Sequence, residues 1–250
     1  MSISEMNLKE KSLLFAKLAA DAYGDKADVI KLAKKHGFTK TKFYDIGGAQ
    51  AYRFENKTDV VVACRGTQPT EFNDLKADLK AFPVKSETVS RVHRGFKNEV
   101  DELWPMVCED IGRTVNVGKK LWICGHSLGA AMATIAAGRM QSKVLALITF
   151  GSPRVGNKEY VNSLTVKHYR VQNNCDDVTK VPFMLMGFVH HGTHMYMNYY
   201  GAFRNLTPWQ QIKDMVRSRL KARAKGQKFL GAYDHMMDNY IAKLGKLGEE

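Results

Sequence analysis

The stretch at positions 121–138 constrains the fold most, because an apolar strand there meets a glycine-flanked serine and then a run of small residues. A serine at the tip of a tight strand-to-helix turn takes a strained backbone conformation. Side chains two residues to either side would collide with the strand and the helix. Gly125 and Gly129 have no side chains, so they allow Ser127 to stand clear of the sheet. Ser127 is therefore a candidate nucleophile, although an ordinary helix start fits the same five residues.

The residues after Ser127 favour a developing negative charge beside it and a closely packed helix. The N–H of Leu128 begins the helix, where unpaired amides and the helix dipole attract an anion. Leu128 would thus supply half of an oxyanion hole. Small residues between positions 130 and 138 let the helix pack closely on a sheet. The pattern predicts an α/β fold with a mostly parallel central sheet flanked by helices.

The amino-terminal residues and the cysteines bear on where such a chain acts. Residues 1–11 are polar and show no signal-peptide core, and no apolar run approaches the length of a membrane span. The four cysteines lie mostly in apolar segments, which is typical of reduced, buried thiols. We therefore expect a single domain over residues 1–250, in a cytoplasmic protein that associates at most peripherally with membranes.

The formal net charge of +13 is the unusual bulk property of this chain. A strongly basic protein attracts an anionic partner, which is either a phospholipid surface or a nucleic acid. The sequence contains no DNA-binding or RNA-binding motif, so a nucleic acid is not expected as a partner.

Residues 206–229 predict a basic amphipathic helix, in which Trp209, Ile212, Val216 and Leu220 form an apolar stripe among lysines and arginines. That arrangement suits an anionic membrane surface. A merely solvated helix face is the commoner outcome of such a pattern.

Two segments on either side of the candidate nucleophile carry further predictions. A buried strand at 59–64 ends in a polar turn at Thr67, whose hydroxyl and amide can point toward the same place as the Leu128 amide. A plain surface turn is the alternative. Residues 68–92 predict either a mobile amphipathic lid or a surface helix with its apolar face packed down. Residues 181–203, dense in methionine and aromatics, predict an antiparallel hairpin or extension.

A serine nucleophile needs a base, and the base needs an acid that fixes its tautomer. Asp176 and Asp177 both follow a strand end, where an acid can orient a histidine on the same side of the sheet as Ser127. In the chain order serine, acid, histidine, His235 at a loop-to-helix junction is the best base among the eight histidines.

Three other histidines lie close together in the sequence and resemble part of a metal-ligand set. They are His190, His191 and His194. No carboxylate or cysteine near them completes the set, so we do not expect a metal site there.

Five motifs occur in an order that resembles one known family. They are Val62-Ala63-Cys64-Arg65-Gly66-Thr67, Val92-His93-Arg94-Gly95-Phe96, Gly125-His126-Ser127-Leu128-Gly129, Thr149-Phe150-Gly151-Ser152-Pro153-Arg154-Val155-Gly156-Asn157, and Asp176-Asp177-Val178 with Val181-Pro182. This set resembles the class 3 lipases, which comprise the fungal-type triacylglycerol lipases and their plant phospholipase A1 relatives.

The resemblance implies an α/β-hydrolase fold with a lid after Thr67 and a catalytic triad of Ser127, Asp176 and His235. It also implies an oxyanion hole formed by Thr67 and the Leu128 amide. The implied activity is hydrolysis of lipid esters through an acyl-enzyme, without a metal or other cofactor. A phospholipase A1 on anionic membranes is the close alternative, and a lipase-like binding protein that has lost the chemistry is the more distant one.

Overall fold

Ten strands occur in the computed structural model, which describes residues 2–66, 83–85, 91–115, 117–227 and 229–246. In chain order they are β1 (Lys40–Ile46), β2 (Ala49–Glu55), β3 (Asp59–Cys64), β4 (Pro83–Lys85), β5 (Arg91–His93), β6 (Lys120–His126), β7 (Val144–Phe150), β8 (His168–Asn173), β9 (Thr193–Met197) and β10 (Phe203–Arg204). Eight of them form one sheet in the order β1-β2-β3-β6-β7-β8-β9-β10, and β4 pairs with β5. Strands β3, β6, β7, β8 and β9 run parallel, which confirms the mostly parallel sheet.

The central strand β3 shows why the sheet must be covered on both faces. Val60, Val61 and Val62 follow one another and are all fully buried, although successive side chains point to opposite faces. A continuous β-branched run of this kind is stable only where helices cover both sides of the sheet. Strand β3 pairs with β6 and brings Cys64 opposite Gly125, so the two strand ends meet at the edge where open α/β sheets hold their sites.

Eight α-helices lie within the described residues, and they cover the sheet from two sides. They are α1 (Leu8–Asp21), α2 (Lys26–Lys35), α3 (Arg94–Val115), α4 (Leu128–Arg139), α5 (Lys158–Ser163), α6 (Pro208–Ala224), α7 (Leu230–His235) and α8 (Met237–Lys246). One buried apolar cluster packs α3 and α4 against the sheet, and a second packs α1, α2 and α8 against it. None of these helices has both the length and the apolar character that crossing a membrane requires.

The predicted antiparallel hairpin at 181–203 occurs between β9 and β10, at the end of that segment. Strand β9 pairs parallel with β8, and only the short β10 runs antiparallel to β9. Met195 and Met197 are buried in the core, whereas Phe183 to Met186 are exposed. Aromatic and methionine-rich composition favours a strand at an apolar surface, but it does not indicate that β9 also joins the parallel part of the sheet beside β8.

The predicted helix at 206–229 and the predicted lid at 68–92 have different outcomes. Helix α6 is shorter than predicted, because Thr207 caps its first turn and Gly226 takes a φ of +79° just past its end.

Of the predicted lid, residues 83–85 form β4 and residues 91–92 begin β5, while residues 68–82 and 86–90 lie outside the described part of the chain.

Candidate active site

Ser127 lies in the turn that joins β6 to α4. Its φ is 59° and its ψ is −129°, a strained combination for a residue that carries a side chain. A Cβ atom on Gly125 would lie 2.2 Å from the carbonyl oxygen of Gly129, and one on Gly129 would lie 2.2 Å from that of Cys64. Only glycine therefore fits at positions 125 and 129 without a shift of the backbone. The turn holds the Ser127 side chain at the carboxyl edge of the sheet.

Ser127, His235 and Asp176 form one hydrogen-bonded chain. The Ser127 Oγ lies 2.9 Å from His235 Nε2, and His235 Nδ1 lies 3.0 Å and 2.9 Å from the two carboxylate oxygens of Asp176. Because an ionised carboxylate only accepts hydrogen bonds, Nδ1 carries the imidazole proton and Nε2 accepts from the serine hydroxyl. All three residues are buried. The arrangement is that of a nucleophile, a base and an orienting acid.

Asp176 is held as an ionised carboxylate by donors around it. Its Oδ2 accepts a 2.7 Å hydrogen bond from the Tyr240 hydroxyl, and its Oδ1 accepts one of 2.9 Å from the Val178 N–H. Burial acts to raise the pKa of Asp176, but the charge of His235 and the hydrogen bonds from His235 and Tyr240 together lower it. The contact of Tyr240 with Asp176 cannot be recognised from the sequence, because a tyrosine on the inner face of a helix resembles any other buried aromatic residue.

Asp177, the other carboxylate after β8, points to a different set of partners. Its Oδ1 lies 2.6 Å from Lys180 Nζ and 3.1 Å from an Arg219 guanidinium nitrogen. Of the two acids that the sequence leaves open, the structure brings Asp176 to His235 and places Asp177 in a partly exposed ion-pair group.

His126, the residue before the nucleophile, holds the segment that carries His235. Its Nε2–H donates to the main-chain oxygen of His235 at 2.8 Å, and its Nδ1 accepts from the Tyr23 hydroxyl at 2.9 Å. Burial, together with the nearby His235, lowers the pKa of His126 to about 3, so its ring stays neutral and keeps this one tautomer. Tyr23 and His126 thus position the site, and only contacts distant in sequence identify them.

Gly151 fills the space beside the His235–Asp176 pair. It follows β7 with a φ of +55°, and a Cβ atom there would lie 2.6 Å from Asp176 Oδ2 and 2.8 Å from His235 Nδ1. A glycine is required both by the backbone conformation and by the two side chains. Gly151 belongs to the Thr149 to Asn157 motif that the sequence shares with class 3 lipases, but the motif does not show which of its residues contacts the catalytic residues.

Alanine at Gly151 is expected to lower kcat/KM for a p-nitrophenyl ester by about a hundredfold, because its methyl group displaces the His235 imidazole. Gly48→Ala is the matched control, since Gly48 also has a positive φ of +93° but no atom within 4 Å of the added Cβ. Equal activity of the two variants would show that the Gly151 contact does not position the histidine.

The oxyanion hole predicted from Leu128 and Thr67 lies only partly within the described residues. Leu128 is the first residue of α4, so its N–H belongs to the unpaired amides of a helix start directly beside Ser127. Thr67 lies outside the described residues. Gly66, the residue before Thr67, lies directly beside the Ser127 turn. A Cβ atom on Gly66 would lie 2.7 Å from the carbonyl oxygen of His126 and 3.2 Å from the Gly129 nitrogen.

All three histidines of the close cluster bond to acceptors within the protein, and His191 Nε2 lies 3.1 Å from the carbonyl oxygen of Leu164. His190 Nε2 lies 2.8 Å from the carbonyl oxygen of Thr179, and His194 Nε2 lies 2.9 Å from the side-chain oxygen of Gln172. Within the described ranges, no three histidine, cysteine or acidic side chains are grouped as a metal site would need. These histidines contribute to the packing between β8 and the segments that follow it.

Because several histidines are buried, we expect acid to lower the stability of the fold. Burial and the nearby Arg170 lower the pKa of His194 to about 4, and burial likewise lowers the pKa of His190 well below its ordinary value. In the unfolded chain a histidine takes up its proton near pH ~6.5. The unfolded state therefore binds more protons below that pH, and we expect the free energy of unfolding to fall between about pH 6.5 and about pH 4.

Urea denaturation at about pH 7.5 and about pH 5 measures this effect. His194→Gln removes one of the depressed groups, so the variant should lose less stability than the wild type over the same interval. Identical denaturation midpoints at the two pH values would contradict the prediction.

Comparisons with known proteins agree with this geometry. The family model for lipase (class 3) matches residues 61–186, which contain most of β3, the Ser127 turn and Asp176. This chain belongs to the class 3 lipase family. Toxin TseL of Vibrio cholerae is 32% identical over 165 residues, covering 62% of this chain and 24% of the toxin. Secreted mono- and diacylglycerol lipase 1 of Fusarium solani is 37% identical over 110 residues, covering 40% of this chain and 32% of that lipase.

Solved structures show that this class 3 lipase has the α/β-hydrolase fold. The triacylglyceride lipase of Rhizomucor miehei superposes with a TM-score of 0.66 at 24% identity, covering 77% of this chain and 82% of that one. A triacylglycerol lipase whose catalytic centre is a serine protease triad superposes with a TM-score of 0.63 at 25% identity, covering 75% of this chain and 79% of that one. Each likeness covers about three quarters of this chain (77% and 75%), so the fold prediction is confirmed.

The expectation of a cytoplasmic class 3 lipase was wrong. The relatives include a toxin and a lipase described as secreted, which favours an extracellular over a cytoplasmic location. The expectation rested on polar amino-terminal residues, and these report only on export led by a signal peptide. The chain also spans only about a quarter to a third of the length of these two relatives (24% and 32%).

Proposed function

We propose that this class 3 lipase hydrolyses the carboxylic esters of lipids through an acyl-enzyme on Ser127. The observation that carries the proposal is the continuous hydrogen-bonded chain from Ser127 Oγ through His235 to Asp176, with distances of 2.9 Å to 3.0 Å. Such a chain is the standard arrangement for acyl transfer. The related triacylglyceride and diacylglycerol lipases support a lipid ester as the substrate class.

In the proposed first step, Ser127 Oγ attacks the ester carbonyl while His235 Nε2 takes the hydroxyl proton. The protonated imidazole is stabilised by the Asp176 carboxylate, which the Tyr240 hydroxyl keeps ionised. His235 then gives the proton to the departing alcohol, which leaves an acyl ester on Ser127. Water then attacks the acyl carbonyl while His235 Nε2 takes a proton from it. The same proton passes to Ser127 Oγ as the acyl–oxygen bond breaks and the fatty acid leaves, so the steps require no metal or other cofactor.

The negative charge that develops on the carbonyl oxygen needs donors on the side away from His235. We assign this role to the N–H of Leu128, together with Thr67 as the second donor. One such donor contributes about 3 kcal/mol to stabilisation of the transition state. In the same proposal, residues 1–250 form a single domain and residues 68–92 carry the lid.

A hydrolysis profile tests the proposal. Release of acid from p-nitrophenyl esters, triacylglycerol emulsions and phospholipid vesicles would be measured for the wild type, with Ser127→Ala as the blank. We expect ester cleavage that is absent from the blank. Lack of cleavage of every ester by the folded protein would refute the proposal.

A second candidate activity is phospholipase A1 action on anionic membranes, which the net charge of +13 favours. Fatty acid release would be compared between neutral and anionic vesicles, each at low and at high salt. An anionic preference that disappears with salt is expected, because salt screens exposed charges. Equal rates in all four conditions would exclude recruitment by charge.

A further inference from the structure

Helix α6 turns its apolar stripe toward solvent. Trp209, Ile212, Val216 and Leu220 recur at intervals of three and four residues, so they share one side of the helix. Their exposed fractions are 63%, 46%, 49% and 64%. An amphipathic helix of a globular protein normally packs such a stripe against the core. In α6 the arrangement is reversed.

The opposite side of α6 explains this orientation. Asp214 accepts hydrogen bonds from the Asn174 side chain at 2.9 Å and from the Tyr196 hydroxyl at 2.8 Å. The Cys175 thiol donates to the main-chain oxygen of Met215. These contacts fix α6 on the loop that leads into Asp176. The stripe could turn inward only if those partly buried hydrogen bonds were broken.

Basic side chains run along both edges of the exposed stripe. Lys213 and Arg217 follow one edge, Arg219 and Arg223 follow the other, and all four are exposed. Between positions 208 and 225 the chain has six basic residues and one acidic residue, and that acid is Asp214 on the inner side. The outer side of α6 therefore combines apolar contact area with positive charge, and of its four basic residues Arg219 also pairs with Asp177 at 3.1 Å.

We infer that this surface, the α6 face (Trp209, Ile212, Val216 and Leu220 with the four basic residues beside them), docks onto an anionic phospholipid bilayer. When the stripe enters the boundary between headgroups and acyl chains, lysines and arginines at both edges lie level with the phosphates. The net charge of +13 gives the whole molecule the matching sign. The inference rests on the proposed lipid-ester substrate, because docking would bring the site to that substrate.

Three exposed apolar residues follow α6 in the chain. Phe229, Tyr233 and Met236 are 78%, 47% and 45% exposed, and the last two flank His235 in the chain. Exposed apolar side chains therefore lie close in sequence to His235.

Vesicle sedimentation tests the docking with Ser127→Ala as the parent protein, so that no lipid is consumed. Vesicles of phosphatidylcholine alone are compared with vesicles that also contain phosphatidylglycerol. Lys213→Gln with Arg217→Gln should lower the partition coefficient on anionic vesicles by about thirtyfold, since each basic residue near the surface contributes about 1 kcal/mol. Lys31→Gln with Lys34→Gln on α2 is the control with the same loss of charge.

The apolar part is tested by Ile212→Ser with Val216→Ser and Leu220→Ser, which should weaken partition by more than about tenfold. The control changes three exposed apolar residues elsewhere, Met106, Val117 and Leu145, to serine. Trp209 fluorescence supplies an independent measurement. Trp104 and Trp122 are buried at 5% and 4% exposure, so a blue shift on anionic vesicles would report Trp209 entering lipid.

Three outcomes would overturn the docking inference. They are equal partition of the α6 and control variants, no shift of Trp209 fluorescence, or a loss of self-association in the α6 variants that shows a second protein copy to be the partner. Hydrolysis of a soluble p-nitrophenyl ester by the same variants with Ser127 restored reports the proposed function separately. If the Ser127→Ala parent with an intact α6 face did not bind anionic vesicles, while the enzyme with Ser127 cleaved the soluble ester normally, docking alone would be refuted.

Discussion

Alanine at Ser127 is expected to lower kcat for ester hydrolysis by about four to six orders of magnitude. The variant loses the oxygen that lies 2.9 Å from His235 Nε2, so no acyl-enzyme can form. Labelling by a fluorophosphonate probe, which reacts with an activated serine, should be lost with the same substitution. The fold should be retained, because alanine keeps the Cβ atom of the turn.

Ser218→Ala is the matched control for Ser127→Ala. Ser218 is also buried, and its hydroxyl donates to a main-chain oxygen, that of Asp214. This variant should label at the wild-type rate. If the wild type labelled no faster than Ser127→Ala, the site would lack an activated serine, and a lipase-like binding protein would become the better interpretation.

Asparagine at Asp176 is expected to lower kcat by about 10⁴-fold. The amide has only one acceptor oxygen where the carboxylate has two, so it no longer fixes the proton on His235 Nδ1. The imidazole is then free to adopt the tautomer whose Nε2 carries the proton. That tautomer cannot take the proton of Ser127. The measurement is the steady-state rate on a soluble p-nitrophenyl ester.

Asp177→Asn is the control for Asp176→Asn, because it makes the same chemical change one residue away. Asp177 contacts Lys180 and Arg219 in a partly exposed group, where loss of one charge costs about 1 kcal/mol or less. Its rate should stay within a few-fold of the wild type. A large loss for Asp177→Asn and none for Asp176→Asn would reverse the assignment of the acid.

The strand-to-helix turn could be predicted from sequence because its determinants are local. Gly125 and Gly129 must be glycine to avoid atoms that lie 2.2 Å from their missing side chains, and that requirement is readable from residue type. The same holds for β3, where a run of valines requires burial on both faces. The parallel central sheet and its helices follow from such local patterns.

The choice between Asp176 and Asp177 could not be made from residue types. Both acids follow the same strand end, and only the path of the loop decides which one meets His235. Tyr240 and Gly151 are also defined by contacts between distant segments. The direction of β9 depends on its pairing with β8, which the composition of a single segment does not report.

The orientation of α6 also could not be predicted from the sequence. The apolar periodicity correctly predicts a helix, but it shows only that four apolar side chains share one side of that helix. Which side packs inward was decided by Asp214, whose partners Asn174 and Tyr196 lie elsewhere in the chain. A single partly buried carboxylate with two donors thus fixed a helix that four apolar residues would have turned the other way.

The separation of the site residues along the chain delays catalytic competence until α7 has been synthesised. His235 lies 108 positions after Ser127 and 59 after Asp176, while His126 is held by a tyrosine 103 positions before it. A nascent chain that has formed the sheet through β8 already contains the nucleophile and the acid but lacks the base. The ribosome therefore carries an inert intermediate, and reactivity begins only when α7 has emerged and docked.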